Sequence, residues 1–491
     1  QACDARKAGG PSASIQSKKK KRKKGTEEIG SVCLDTKMLV TGSKDAISWL
    51  PQEVLGDILS LVPTKLAAST SLLSKKWRNV FALVHNLDFD DSVFLQPEEG
   101  KEKRHVIREC FRSFVDRTLA LQCASPIKKF SLKYHYDYDS ELTHVVRWVC
   151  NALDRGVLEL AVSIKPRYEP YVRSETGHWK PPLNAKTHGE VFLPPALFTS
   201  KTLVKLTLGT RVSFGKLPPD LSLPALKSLF IDSIFFEYED LCYVLLPGCP
   251  VLEELFVCHK QYMGIPYCIS SRTIEKLSVQ YNSDYDLDCM IGMSFDAPRL
   301  VFLDYSDYAV SEYPQVNLKS LVEARLDLRY SKKIRRPDIS GLFIGISNIE
   351  TLHLSANSVD VISRCVKHGV ILPVFNNLVS LTFGSKKKRG WRLLPYLLKQ
   401  SPMLETLIIQ GLDGNICDVT LRPYQVKVLH VLGYGGAAKE LEQLKSFLGK
   451  TECLELVQVE VVDDGIISQT YKDLMTLVGV SVSPKCQIKV A

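Results

Sequence analysis

The chain has 491 residues, 45% hydrophobic and 24% charged, enough to bury a large core and long enough for roughly two to four domains. Its longest apolar runs, such as VLLPG and LVGVSV, fall far short of the ~18 residues a membrane-spanning helix needs, so no membrane partner is expected. The net charge is +9, but seven of those charges lie in KKKKRKK, which leaves about +2 elsewhere and argues against a body that binds nucleic acid through a broad basic face.

Residues 1–43 are rich in Gly, Ser and Lys without apolar periodicity, which predicts a disordered basic tail. Within it Lys18, Lys19, Lys20, Lys21, Arg22, Lys23 and Lys24 form a candidate nuclear-import signal. A solvated tail or a nucleic-acid contact are the other readings of such a run. The chain opens on Gln1 rather than Met, which leaves its true beginning open. The 14 cysteines stand singly, with no C-x-x-C. They read as reduced core residues of a nuclear or cytoplasmic protein rather than as a disulfide framework or a zinc site.

From Ile47 to Val84 the pattern is helical. Pro51 suits a first helical position, Glu53 complements the helix dipole, and Leu50, Val54, Leu55, Ile58 and Leu59 recur at three- and four-residue steps to about Leu61. Pro63 breaks this helix, Thr64 can cap a second through Leu73, and Ser74 opens a third that carries Trp77, Val80, Phe81 and Val84 on one face. Three such short helices hold more apolar surface than they can bury among themselves. This unit is placed at 44–90, with a helical linker at 91–124.

Beyond about residue 125 a template of the form φ-x-x-φ-x-φ returns: IKKFSL at Ile127, VLELAV at Val157, LVKLTL at Leu203, LKSLFI at Leu226, LEELFV at Leu252, IEKLSV at Ile274, IETLHL at Ile349, LVSLTF at Leu378, LETLII at Leu404 and VKVLHV at Val426. LVFLDY at Leu300 is an imperfect copy, and Leu318–Leu328 has altered spacing. Leucine-rich repeats have this core, because each turn lays one short strand beside the last and buries its leucines. About eleven or twelve strands at ~4.8 Å would line a surface on the order of 50 Å long. The fold class expected is α+β, a three-helix unit followed by an irregular α/β solenoid over 125–415, with a terminal repeat region at 416–491. Residues 165–192, rich in Pro, Gly and charge, interrupt the series as a long loop of the kind that carries recognition.

No catalytic constellation stands at motif spacing: H-E-x-x-H, G-x-S-x-G and G-x-x-x-x-G-K-[ST] are all missing. The chain is therefore read as no enzyme, with no catalytic residue, no metal and no cofactor. The sharpest decoy is VKVLHVLGYGGAAKELEQLKSFL, where Gly433, Gly435 and Ala438 match G-x-G-x-x-A and Glu455 or Glu460 follows at the distance of a dinucleotide fingerprint. Only one clear strand, CLELVQVEV, follows that helix, so the glycines read as a turn. Two basic clusters, Lys332, Lys333, Arg335 and Arg336, and Lys386, Lys387, Lys388 and Arg389, fall between repeat strands. They are either solvated loops or contacts for an acidic or phosphorylated ligand.

The segments LPQEVLGDILSLVPTK and STSLLSKKWRNVF resemble an F-box. With VFLPPALFTSKTLVKLTL, LPALKSLFI and LLPGCPVLEELFV in the middle, and LKSFLGKTECLELVQVEV and SPKCQIKV at the end, the chain is similar to plant F-box proteins with leucine-rich repeats and a C-terminal FBD-like region. Gln52 stands where that family often has Asp, and Phe81 where Trp is frequent. The resemblance implies that a Skp-type adaptor, and through it a cullin, covers the surplus apolar surface, with contacts at Leu50, Pro51, Val54, Ile58, Leu59, Leu73, Ser74 and Trp77. Val80 and Phe81 are expected to be internal. It further implies a non-catalytic substrate receptor of an SCF-type ubiquitin ligase, whose repeats hold an unknown target protein. The rival expectations are a repeat scaffold that delivers no target and a nuclear nucleic-acid-binding protein that uses its basic tail.

Overall fold

The computed structural model describes residues 46–93, 101–122, 125–136, 142–166, 191–209, 216–232, 240–259, 268–281, 292–331, 336–385, 388–412, 425–449, 451–462 and 483–490, with shorter pieces between 172 and 214 and between 334 and 481. Contacts divide the chain into residues 1–50 and 51–491. The first unit is described only at its end, where Ala46–Trp49 form a 3-10 turn and the Leu50 amide donates to the Ile47 carbonyl.

The second unit begins with helices α1 (Gln52–Leu59), α2 (Thr64–Thr70) and α3 (Lys75–Phe81). Three local details differ from the sequence expectation. Pro51 takes the N-cap position rather than the first turn, and α1 and α2 stop at Leu59 and Thr70 instead of Leu61 and Leu73. The Thr64 hydroxyl does not cap α2; it accepts the Asp88 amide at 2.6 Å. Ser74 caps α3 as predicted, accepting the Trp77 amide at 3.3 Å.

Then come β1 (Asn86–Asp90), α4 (Lys101–Leu121), β2 (Lys129–Tyr136), α5 (Leu142–Asp154) and β3 (Glu159–Pro166). They are followed by β4 (Lys205–Gly209), β5 (Ser228–Asp232), β6 (Glu254–His259), β7 (Lys276–Tyr281), β8 (Phe302–Tyr308), β9 (Glu323–Arg329) and β10 (Thr351–Leu354). The series closes with β11 (Ser380–Gly384), β12 (Thr406–Gln410), β13 (Val428–Tyr434), α6 (Ala438–Leu448), β14 (Leu456–Val461) and β15 (Gln487–Val490). These 15 strands form one sheet whose spatial order is the chain order, and adjacent strands pair in parallel. Parallel neighbours require a crossover of a dozen or more residues, which is why the template recurs at two to three dozen.

Every predicted template forms a strand of this sheet. Leu160, Leu206, Leu229, Leu255, Leu277 and Leu303 face one another strand to strand in register, all fully buried. Each such side chain contributes roughly 1.5–3 kcal/mol. At the repeat with altered spacing the ladder continues through Ala324, in register with Leu303. Twelve strands, β2–β13, match the expected number, and β1, β14 and β15 extend the sheet at both ends. The stretch 91–124, expected as a linker, supplies core: Phe111, Val115 and Leu119 of α4 are buried, and Phe111 stacks on Tyr134. Of the long loop at 165–192, Val172–Arg173 pair antiparallel with Trp179–Lys180, and most of the rest lies outside the described residues.

Candidate functional site

The three helices and the turns between them sort their apolar side chains into two sets. Leu55, Leu59, Ala67, Val80 and Phe81 are buried. Val54, Ile58, Leu61, Leu66, Leu72 and Leu73 are exposed, Leu72 at 85%, Leu61 at 83% and Leu73 at 71%. Covering one such leucine stabilises by roughly 1.5–3 kcal/mol, and a few anchors of this kind dominate many interfaces. In the first unit Ile47, Trp49 and Leu50 are exposed as well.

Of the residues expected to contact an adaptor, Pro51, Val54, Ile58, Leu73 and Ser74 are exposed. Trp77 is half-buried against the core. Leu59 departs from the expectation: it is only 6% exposed, because it lies on the inward side of α1 with Leu55, one residue round from Ile58. Leu61, Leu66 and Leu72 escaped the sequence reading. They sit at turns or on a short helix, where periodicity does not say which side is wet.

Hydrogen bonds from consecutive elements seat this block. Ser60 Oγ donates to the Gly56 carbonyl at 2.7 Å and accepts the His85 amide at 3.1 Å. Asn86 Nδ2 donates to the Ser60 carbonyl at 3.1 Å, and Gln122 Nε2, at the end of α4, donates to the Phe81 carbonyl at 3.0 Å. The exposed leucines are thus carried on a base tied to the first strand and the first long helix of the sheet.

The second candidate surface is the outward face of the sheet, on which the first and third residues of each strand stand. Along its first half the side chains form cross-strand pairs: Lys227 with Glu253 at 2.7 Å, Lys276 with Glu254 at 2.8 Å, and Phe230 stacked on Phe256 at 4.1 Å between centroids. The hydrogen bond from Lys276 holds the Glu254 carboxyl below its ordinary value, against burial. On β9, Arg325 Nε donates to Glu323 at 2.8 Å while its guanidinium lies over Phe302 at 5.3 Å. His353 of β10 reaches the same Glu323 oxygen at 3.3 Å. Burial outweighs the pull of Glu323 and holds the His353 imidazole below its ordinary value.

Lys18, Lys19, Lys20, Lys21, Arg22, Lys23 and Lys24, and Lys332, Lys333, Arg335, Lys386 and Lys387, lie outside the described residues. Arg336 is exposed, and of Lys388 and Arg389 only the helical backbone is described. The glycine decoy resolves as a turn: Gly433 and Gly436 take positive φ, and Glu440 Oε2 accepts the Gly435 and Ala437 amides, each at 3.0 Å. A carboxylate thus occupies the place a pyrophosphate would need at the start of α6. Among the described residues no group of three or more His, Cys, Asp or Glu is placed to hold a metal ion, and no helix is long and apolar enough to cross a membrane.

Two family models match the chain: the F-box domain over residues 47–88, and the LRR repeats of FBD-associated F-box protein At5g56370 over residues 182–320. Among curated proteins the chain is 54% identical to F-box/LRR-repeat protein At3g60040 of Arabidopsis thaliana, with 93% of this chain and 100% of that protein covered. It is 51% identical to F-box/LRR-repeat protein At1g06630 of the same plant, covering 87% and 100%. To F-box/LRR-repeat protein At2g42730, also of Arabidopsis thaliana, it is 38% identical, covering 91% and 98%.

Proposed function

Because this chain belongs to the F-box/LRR-repeat family of plant proteins, we propose that it is a substrate receptor of an SCF-type ubiquitin ligase. In this reading the F-box binds a Skp-type adaptor, which links it to a cullin, and the outward face of the sheet holds a target protein. The role is non-catalytic. The receptor raises the effective concentration of the target's lysines near a ubiquitin carried by another subunit.

The observation that carries the reading is the set of exposed leucines within residues 47–88, Leu66 on α2 and Leu61, Leu72 and Leu73 in the turns between helices, in a unit whose inward side is already filled by Leu55, Leu59, Val80 and Phe81. An apolar surface of this kind on a packed unit calls for a partner. Nucleus and cytoplasm are the compartments proposed with it, to be read from a fluorescent fusion with and without Lys18–Lys24.

The test is capture of a purified plant Skp-type adaptor by the intact chain, compared with the double variant Leu72→Asp/Leu73→Asp. Circular dichroism establishes that both are folded. Binding by the intact chain and its loss in the variant are expected. A folded intact chain that captures no adaptor overturns the proposal, and salt-sensitive capture of nucleic acid in its place would favour the role through the basic tail.

A further inference from the structure

Charge is distributed unevenly along the outward face. At the first and third positions of β6–β9 stand Glu254, Phe256, Lys276, Ser278, Phe302, Asp304, Glu323 and Arg325, five of the eight charged. At the same eight positions of β10–β13 only Thr, Ser, His, Ile and Val occur. Register places His353, Thr382, Ile408 and His430 in one row across the four strands, with Thr351 and Val428 at the ends of the neighbouring row. At ~4.8 Å between strands, each row spans on the order of 14 Å.

From this we propose that the face of β10–β13 is a docking strip for an extended, uncharged and partly apolar segment of a protein target. The proposal rests on the receptor reading above and specifies the target chemistry that the reading leaves open.

Complementarity carries it in three ways. First, ion pairs bound the strip, Arg325 with Glu323 beside β10 and Lys427 with Glu405 at the starts of β12 and β13, while its eight outward positions carry no Asp, Glu, Lys or Arg. A charged residue docked there would lose its water and meet no Asp, Glu, Lys or Arg as counter-ion, whereas Thr, Ile and Val surfaces suit small and apolar side chains. Charge-poor, apolar centres with polar rims are the ordinary anatomy of protein interfaces.

Second, Thr382 is 3% exposed, and its hydroxyl has no hydrogen-bond partner. A buried hydroxyl ordinarily finds one. Set on the outward row between the larger His353 and Ile408, it can pair with a main-chain amide or carbonyl of a docked segment. Third, a nucleic acid would need Lys or Arg for its phosphates, and these eight positions hold neither.

A row of ~14 Å takes four to five residues at ~3.3 Å each, so the fitting probe is a displayed library of random twelve-residue peptides. The library is panned on the intact chain held by an affinity tag, and selected peptides are assayed by fluorescence polarisation. The expected winners carry a run of four or five uncharged residues with at least one aliphatic side chain. Ile408→Asp and Thr406→Lys each weaken them by tenfold or more, and Thr382→Val by several-fold, while Lys205→Glu on β4 changes binding less than twofold.

Circular dichroism on each variant separates misfolding from lost contact, and Thr406→Lys, at a half-buried outward position, keeps the test alive if Ile408→Asp does not fold. No selected peptides, winners with charged cores, or binding that survives both charged substitutions would overturn the strip. Adaptor capture is measured on the same preparations: its survival in that event leaves the receptor reading standing, and its absence from the unsubstituted chain removes the reading itself.

Discussion

Thr64 opens α2, but its hydroxyl accepts the Asp88 amide at 2.6 Å, so a helix of the F-box is fastened to the edge strand of the repeat sheet. Thr64 is fully buried, and an amide left without an acceptor there costs about 1–3 kcal/mol. Thr64→Val keeps the shape and removes the acceptor. Urea denaturation of the intact chain should register a loss of that size for Thr64→Val and a much smaller one for Thr64→Ser. Equal stability of the valine variant and the parent would show that the bond contributes nothing net.

Gly56 is where α1 meets the chain after α3. A Cβ placed on it would stand 2.9 Å from Leu83 Cβ and 3.3 Å from the Leu83 carbonyl oxygen. Alanine is the better helix former by up to ~1 kcal/mol, but overpacking of this kind costs about 1–3 kcal/mol. Gly56→Ala is therefore expected to destabilise the intact chain by roughly 1 kcal/mol and to weaken adaptor capture by shifting α1. A stabilised variant would mean that α1 has room to move.

Two aspartates on adjacent strands should impose opposite pH dependence. Burial pushes the Asp307 carboxyl up to about 7, against the Tyr308 amide, the Tyr305 hydroxyl and the charge of Arg329. The folded chain therefore holds a proton that the unfolded chain gives up, and the stability tied to Asp307 is present below the ordinary carboxylate range and is lost as pH rises through about 7. Asp327 is also pushed up by burial, but hydrogen bonds from Ser355, Asn357 and Ser306, with the charge of Arg329, bring its carboxyl below the ordinary value. Its contribution is present above the ordinary range and is lost as pH falls through the folded-state value. Denaturation midpoints from pH 3 to 9 should lose their fall between the ordinary carboxylate range and about pH 7 in Asp307→Asn and lose part of their fall at the acid end in Asp327→Asn. Unchanged profiles would refute both assignments.

Folding and partner binding should separate within the F-box. Leu55 is fully buried, so Leu55→Ala is expected to cost about 2–5 kcal/mol. Leu66 is exposed, so Leu66→Asp should leave the denaturation midpoint within ~0.5 kcal/mol of the parent while reducing adaptor capture at least tenfold. If Leu66→Asp destabilised the chain as much as Leu55→Ala, its side chain would belong to the core and not to the surface.

Much of this arrangement was legible in the chain because it repeats. A leucine every third and then second position cannot be mistaken for a helix stripe once it has recurred at Leu203, Leu226 and Leu252, and the strands stand where those residues predict. Elements without that period were harder to read. β1, NLDFD, alternates polar and apolar over only five residues, and β15 is half-exposed at the sheet edge. The buried stripe of α4, Phe111, Val115 and Leu119, lies among charges that read as a linker.

The sequence alone determined the class of the repeating segments and the identity of the buried ladder, because apolar period is a property of the chain and burial is its first consequence. It also carried the resemblance that named the family. Only the tertiary structure decided that Leu59 faces inward while Leu61, Leu66 and Leu72 face water, that Glu440 closes the glycine turn against an anion, and that the uncharged residues of four separate repeats stand side by side. Those relations depend on which segments become neighbours across dozens of residues, and that is set by the packing and register of the whole sheet.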